Sequence, residues 1–264
     1  MIATSLPGGG APRTVAFLAS TLGAGSAERV LHDLALGLDR RRWHPVVFTL
    51  RGRGDLGDRI ARKGIEVREG FLRRRADLGV VLRLARAFRA EGTAVLYTLD
   101  HEGAVLWGRL AARLAGVRAS VTGLSSVRMR GRRRSLSRWN RWTLPLADRL
   151  LCAARGQADL LVGEEGADPG RLVVIPSAVD TEAFRPGAED LDFRRGIGVP
   201  SEAPLAGVFA PLEPENALDL FLRAALFARA RVPSARFLLV GDGPARPWLE
   251  AQAEQFGLGE SVRF

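Results

Sequence analysis

Thr14-Val-Ala-Phe-Leu-Ala-Ser20 runs directly into Thr21-Leu-Gly-Ala-Gly25 and then Ser26-Ala-Glu-Arg-Val-Leu31. The first piece is apolar without alternation, which predicts a strand buried on both faces, as parallel strands are. The second is a turn of small residues that lets backbone approach a ligand closely. The third begins a segment with Val30, Leu31, Leu34 and Leu38 at helical spacing, which predicts a helix over 27–38. Free N–H groups at the start of such a helix favour an anion. Strand, glycine turn and helix in this order are the first half of a βαβ unit. The turn lies at the carboxyl end of its strand, where open α/β sheets bind ligands.

Outward from this stretch the same rhythm continues. Strands are predicted at 44–50, near 66, at 94–99, 119–122, 149–153 and 172–175. The helices between them are predicted at 55–63, 76–91, 103–115, 135–147 and 157–162. Pro45 is acceptable only near the start of its strand. Alternation of this kind predicts right-handed crossovers and a parallel sheet. Pro176 to Ala188, with two prolines and little periodicity, reads as a linker. A short helix at 190–196 then leads into a second alternation: strand 205–209, helix 215–231, strand 236–240, helix 244–256 and strand 261–264. The expected organisation is therefore a domain over 1–186 and a second over 187–264. A parallel strand at the chain's end expects a loop and a helix to cover its sheet, so the second domain is expected to be incomplete and the polypeptide truncated.

Composition narrows the function classes. Of the 264 residues, 47% are hydrophobic and 26% charged, as in ordinary soluble domains. One cysteine, Cys152, excludes an intramolecular disulfide and a multi-cysteine zinc site, and its apolar setting reads as a buried hydrophobe. His32, His44 and His101 have no metal-ligand spacing, so no metal is expected. The net charge of +10 is almost wholly arginine, since Lys63 is the single lysine. Such a balance admits phosphate ligands, anionic membrane or nucleic acid. No stretch resembles a signal peptide or reaches the roughly 18 apolar residues of a membrane span; the expected location is cytoplasmic.

Three segments carry a family resemblance. Thr21 to Leu31 resembles the glycine loop and first helix of the retaining glycosyltransferases of family 4. Val173-Val-Ile-Pro-Ser-Ala-Val-Asp-Thr-Glu-Ala-Phe-Arg-Pro186 resembles the family's interdomain signature, and Leu238-Leu-Val-Gly-Asp-Gly-Pro244 resembles the second strand and turn of its C-terminal domain. Order and spacing match as well. The resemblance implies an α/β fold of the GT-B kind, two Rossmann-like parallel-sheet domains, the second incomplete here. It implies transfer of a sugar, with retention and without metal or cofactor, from a nucleotide-diphosphate donor to an acceptor hydroxyl, a lipid-linked or cell-envelope glycan being one acceptor class. In the family the glycine loop lies against the donor diphosphate or transferred sugar, a role that falls on Gly25 and Ser26. The alternative is that Ser26 only N-caps the helix. His101, after the strand 94–99, inherits a hydrogen bond to the donor sugar and is the catalytic candidate.

Departures from the family pattern matter equally. Where it has Gly-Arg-Leu and then Pro-Glu-Lys-Gly, this chain has Ala210-Pro-Leu-Glu-Pro-Glu-Asn-Ala217. Pro211 replaces the Arg and Asn216 the Lys, so the donor-binding candidate Asn216 can donate but carries no charge. The family's later glutamate pair has no counterpart; Glu250 and Glu254 read as a solvated helix face. Arg128 to Trp142, seven arginines around Trp139 and Trp142, suits peripheral contact with an anionic membrane at the inner face of the cell; single-stranded nucleic acid is the weaker reading, and a solvated helix the third. Two functional readings stay open: a glycosyltransferase, and a non-catalytic, degenerate or truncated relative acting as a binding protein. A dinucleotide oxidoreductase fits poorly, because neither Gly23-Ala-Gly25 nor Gly241-Asp-Gly243 completes Gly-x-Gly-x-x-Gly.

Overall fold

The structure, a computed structural model, describes residues 11–23, 25–74, 77–99, 103–124, 142–182, 184–187 and 190–264. The chain divides between Val179 and Asp180 into two compact units. The first contains β1 (Arg13–Ala19), α1 (Ser26–Gly37), β2 (Trp43–Thr49), α2 (Gly54–Arg62), β3 (Glu66–Arg68), α3 (Gly79–Ala90) and β4 (Thr93–Leu99). It continues with α4 (Ala104–Ala115), β5 (Ala119–Leu124), β6 (Arg149–Cys152), α5 (Arg155–Glu165) and β7 (Leu172–Val174). The second contains α6 (Leu191–Gly196), β8 (Leu205–Phe209), α7 (Leu218–Arg231), β9 (Arg236–Val240), α8 (Arg246–Gln255) and β10 (Val262–Arg263).

The first unit holds a seven-stranded sheet in the order β3-β2-β1-β4-β5-β6-β7. Every pairing in it is parallel. The second holds a parallel sheet ordered β10-β9-β8. The architecture is thus two Rossmann-like sheets, as the alternation predicted.

The apolar run of β1 is buried on both faces. Val15, Phe17 and Ala19 join Leu22, Ala27, Leu31, Leu56 and Ile60 in one core, while Ala16 and Leu18 join Phe48, Val80, Leu84, Phe88 and Ala111 in the other. Helices α1 and α2 therefore cover one face and α3 and α4 the opposite one. Full burial of each large side chain here contributes about 1.5–3 kcal/mol. Phe48 packs edge-on against Phe88 with ring centroids 5.2 Å apart. In the second unit, Phe237 and Leu239 pack with Leu222 and Ala225 of α7 and Leu249 and Ala253 of α8. Phe209 is left 74% exposed.

Pro45 is tolerated for a local reason. β1 pairs with β2 along its whole length, but β3 joins only from Val46 onward, so Pro45 lies where β2 is an edge on that side. Two helix starts are shifted from the sequence expectation. α3 begins at Gly79 because the Asp77 carboxylate ties the preceding turn, accepting from the Arg73 N–H at 3.0 Å and from the Arg83 guanidinium. Those bonds, the Arg73 N–H foremost, hold the Asp77 carboxyl below its ordinary range. The predicted helix 135–147 falls largely outside the described residues, and Leu144–Leu146 forms a single 3₁₀ turn around Pro145. Cys152 is buried and burial pushes its thiol upward, which makes it a packing residue.

Tyr97, the chain's single tyrosine, is buried in β4 with its ring centroid 5.5 Å from that of Phe17. Its hydroxyl lies over Gly123, where a Cβ would come within 2.0 Å of it. Burial pushes this phenol up to about 12. The native state thus holds the proton more tightly than the unfolded chain, whose phenol titrates near 10. The stabilising contribution is complete below about pH 10 and is lost as pH rises through about 12. Tyrosinate absorbance is expected to titrate near 12 in native protein and near 10 in denaturant; a native midpoint at 10 would contradict the burial.

Candidate functional site

The order β3-β2-β1-β4 places the switch point of the first sheet between β1 and β4. From β1 the chain winds outward to β2 and β3; from β4 it winds the other way. Connections leaving in opposite directions open a crevice at the carboxyl ends of these two strands. The glycine loop leaves β1 there, and residues 100–102, which include His101, follow β4. His101 itself lies outside the described residues.

The loop after β1 is fastened from beneath. Leu50 and Arg51 donate their N–H groups to Ala19 O and Ser20 O, both at 3.0 Å, and Leu56 donates to Leu22 O at 3.1 Å. Leu22 is fully buried and anchors the loop in the core. Gly54 allows this approach: its φ is +63°, and a Cβ there would lie 2.3 Å from Leu22 O. The sequence reading passed over Gly54, which looks like a lone glycine at a helix start.

α1 begins at Ser26, so Gly25 is the cap residue and has no side chain with which to cap. The reading in which Ser26 is itself the N-cap is corrected by one position. Gly25 is exposed, and its carbonyl accepts from the Arg29 N–H at 3.0 Å. Glu28, in the first turn of α1, folds its carboxylate back over Gly25: a Cβ at Gly25 would meet Glu28 Oε2 at 2.2 Å. Glu28 is 9% exposed. It is a second site residue that sequence reasoning missed, since a Glu in a first turn reads as ordinary dipole complementation.

On the opposite face of β4 and β5 a buried polar network supports the same strand ends. Arg109 of α4, 2% exposed, donates from Nε and Nη2 to Thr122 Oγ1 at 3.3 and 3.0 Å and from Nη1 to Thr143 Oγ1 at 3.1 Å. Thr122 Oγ1 in turn lies 2.9 Å from Thr98 Oγ1. These bonds tie α4, which starts just after residue 101, to the strand end preceding it.

In the second unit, the loops after β8 and β9 clamp one another. Ala210 N–H donates to Val240 O at 3.1 Å, Leu212 N–H to Asp242 O at 2.9 Å and Ala245 N–H to Leu212 O at 2.8 Å. Gly241 and Gly243 both have φ of 155°, and Cβ atoms there would lie 2.0 Å from Ala210 O and 2.5 Å from Leu212 O. The Gly-Asp-Gly turn therefore serves backbone contact with the loop 210–217. Asn216 is exposed, and its Nδ2 donates to Pro211 O at 2.7 Å. One N–H and the carbonyl oxygen of that amide remain outside this bond. Ala217 has φ of +48°, the left-handed region.

Gly25 and Ser26 thus lie in the first unit and Asn216 in the second. Of the arginine and tryptophan patch, residues 128–141 lie outside the described residues; Trp142 is 79% exposed. Among the described residues no group of three or more His, Cys, Asp and Glu side chains is placed to hold a metal ion, and no helix is long and apolar enough to cross a membrane. His32 is 2.7 Å from Asp33 in α1, Asp180 ties its own turn by accepting from the Glu182 N–H at 3.0 Å, and Glu250 pairs with Arg246 at 2.8 Å.

The family model described as Glycosyltransferase Family 4 matches residues 27–183, more than half of the chain. The chain belongs to glycosyltransferase family 4. Among curated relatives, it is 36% identical over 127 residues to D-inositol 3-phosphate glycosyltransferase 2 of Catenulispora acidiphila, a match covering 45% of this chain and 30% of that protein. It is 32% identical over 123 residues to the D-inositol 3-phosphate glycosyltransferase of Mycolicibacterium smegmatis, covering 45% and 27%. The match thus spans about a third of the length of these relatives. Among solved structures, Anabaena Alr3699/HepE in complex with UDP superposes with a TM-score of 0.78 at 20% identity, covering 95% of this chain and 68% of that one. A glycosyltransferase from Rickettsia africae superposes with a TM-score of 0.73 at 15% identity, covering 96% and 67%. The family 4 fold is thus a GT-B fold, and the structural neighbours share it at low identity.

Ala217 occupies the position where the family 4 pattern carries glycine, and a left-handed backbone strains any residue with a Cβ by about 1–2 kcal/mol. Ala217→Gly is expected to raise the stability of the second unit by roughly 1 kcal/mol, measured by denaturant midpoint. Gly241→Ala, which drives a Cβ into Ala210 O, is expected to lower it.

Proposed function

We propose that this chain forms part of a glycosyltransferase that moves a sugar from a nucleotide-diphosphate donor to an acceptor hydroxyl. The observation that carries the reading is the glycine loop at the switch point of a family 4 sheet, with its backbone pinned by Gly54 and open above Gly25. In this reading Gly25 and Ser26 contact the donor's diphosphate or sugar, Asn216 contributes a neutral donor from the second unit, and His101 contacts the transferred sugar. No metal or cofactor takes part; the nucleotide sugar is itself the substrate. Structures of Alr3699/HepE with UDP and with UDP-glucose, and relatives named for inositol 3-phosphate, make a uridine donor and a polyol or glycan acceptor the first choices to assay. Peripheral attachment to a membrane through Arg128 to Trp142 belongs to the same proposal and is read by vesicle co-sedimentation.

One observation favours the second reading, a non-catalytic binding relative. The loop 210–217 contains no Lys or Arg, and its one amide is tied to Pro211. Losing an electrostatic stabiliser of a leaving group slows comparable reactions by about 10²–10³. Incubation with UDP-, GDP- and ADP-sugars and assay of released nucleotide diphosphate separates the readings. The 264-residue chain is expected to bind a nucleotide sugar and turn it over weakly or not at all. Sustained release abolished by His101→Ala would establish catalysis; absence of binding to any donor would refute the proposal.

A further inference from the structure

Glu28 holds a carboxylate in the one place where the sequence leads one to look for a bound anion. It stands in the first turn of a 12-residue helix, is 9% exposed, and is folded over the cap residue Gly25. Among the described residues it has neither a hydrogen-bond donor nor an ion-pair partner. A buried carboxylate with nothing to accept from is costly, so such a group points to donors that arrive from outside the chain. Its surroundings have been shaped to keep it there: Gly25 leaves room that a methyl would fill, with Oε2 at 2.2 Å and Cδ at 3.0 Å from the Cβ position.

We infer that Glu28 is a binding residue for sugar hydroxyls, and that the glycine loop is a hydroxyl subsite, not a phosphate subsite. This rests on the proposed function and says which part of the ligands the loop takes. An ionised carboxylate accepts hydrogen bonds and donates none. It therefore suits vicinal hydroxyls, whether on the transferred sugar or on an acceptor polyol, and opposes a diphosphate. Gly25 contributes absence of bulk, and α1 keeps the carboxylate ionised and directed at the loop.

The test compares the parent chain with Glu28→Gln, Glu28→Ala and Gly25→Ala. The last keeps the charge and displaces the carboxylate from the loop. Circular dichroism confirms folding. Calorimetry measures binding of UDP-glucose, UDP and D-inositol 3-phosphate. Glu28→Ala and Gly25→Ala are expected to weaken a hydroxyl-bearing ligand roughly ten- to hundredfold, as loss of a charged hydrogen bond does, with Glu28→Gln intermediate and UDP unchanged. Loss confined to UDP-glucose assigns the donor sugar; loss confined to D-inositol 3-phosphate assigns the acceptor. Tighter binding of UDP by Glu28→Gln would mean that the loop takes phosphate and would overturn the inference alone. So would unchanged binding of all three ligands by all variants. A parent chain that binds none of them overturns the proposed function together with the inference.

Discussion

The hydrogen bonds of β1 are committed to parallel partners on both sides, β2 from Arg13 to Ala19 and β4 from Thr14 to Leu18. A strand paired in this way has no edge, and each neighbour must return by a crossover that covers a face of the sheet. That single constraint requires Val15, Phe17 and Ala19 to suit one helical layer and Ala16 and Leu18 the other. It also puts the two strands whose connections diverge side by side. The crevice above β1 and β4 is thus a consequence of pairing, and what remains local is how the loop backbone is held within it. Leu22, pulled into the core, and Gly54, beneath its carbonyl, provide that hold.

Much of the architecture was legible because a parallel strand leaves a strong trace, a short unbroken apolar run ending in small residues. β1, β4, β8 and β9 all fall within a residue or two of where such runs lie. Side-chain contacts distant in sequence left less trace. Nothing around Gly54 indicates Leu22 O; nothing around Gly123 indicates the Tyr97 hydroxyl. Arg109 looks like one more arginine on an amphipathic helix, yet it is buried against Thr122 and Thr143, 13 and 34 residues away. Gly25 and Ser26 were found because a loop chemistry repeats in sequence. Glu28, two residues further, was overlooked because its importance comes from being buried without a partner, a property no pattern of residues displays.

The second unit shows how a motif can hold its shape while its chemistry changes. The clamp made by Gly241 and Gly243 on Ala210 and Leu212 requires only backbone, so it tolerates replacement of the surrounding side chains. Within it, Pro211 has no N–H to present and offers its carbonyl to Asn216 instead. Ala217 then takes up a left-handed conformation that glycine would adopt without strain. The three differences are mechanically linked: the amide tie spans the 3₁₀ turn Pro214–Asn216, and Ala217 ends that turn. A loop arranged in this way is closed by its own polar groups, in contrast to one whose cations point outward.

Charge decides what the glycine loop of the first unit can take. A helix N-terminus favours an anion by at most about 2 kcal/mol in a partly buried setting. A phosphate placed some 5 Å from the Glu28 carboxylate would be repelled by about 3 kcal/mol per charge pair at an effective dielectric constant near 20. The repulsion outweighs the attraction, and a diphosphate carries more than one charge. Hydroxyl donors reverse the sign: they gain from the carboxylate and lose nothing to the helix. The local field at Gly25 therefore selects neutral, hydroxyl-bearing groups, and neutralisation of a leaving diphosphate is left to residues other than those of this loop.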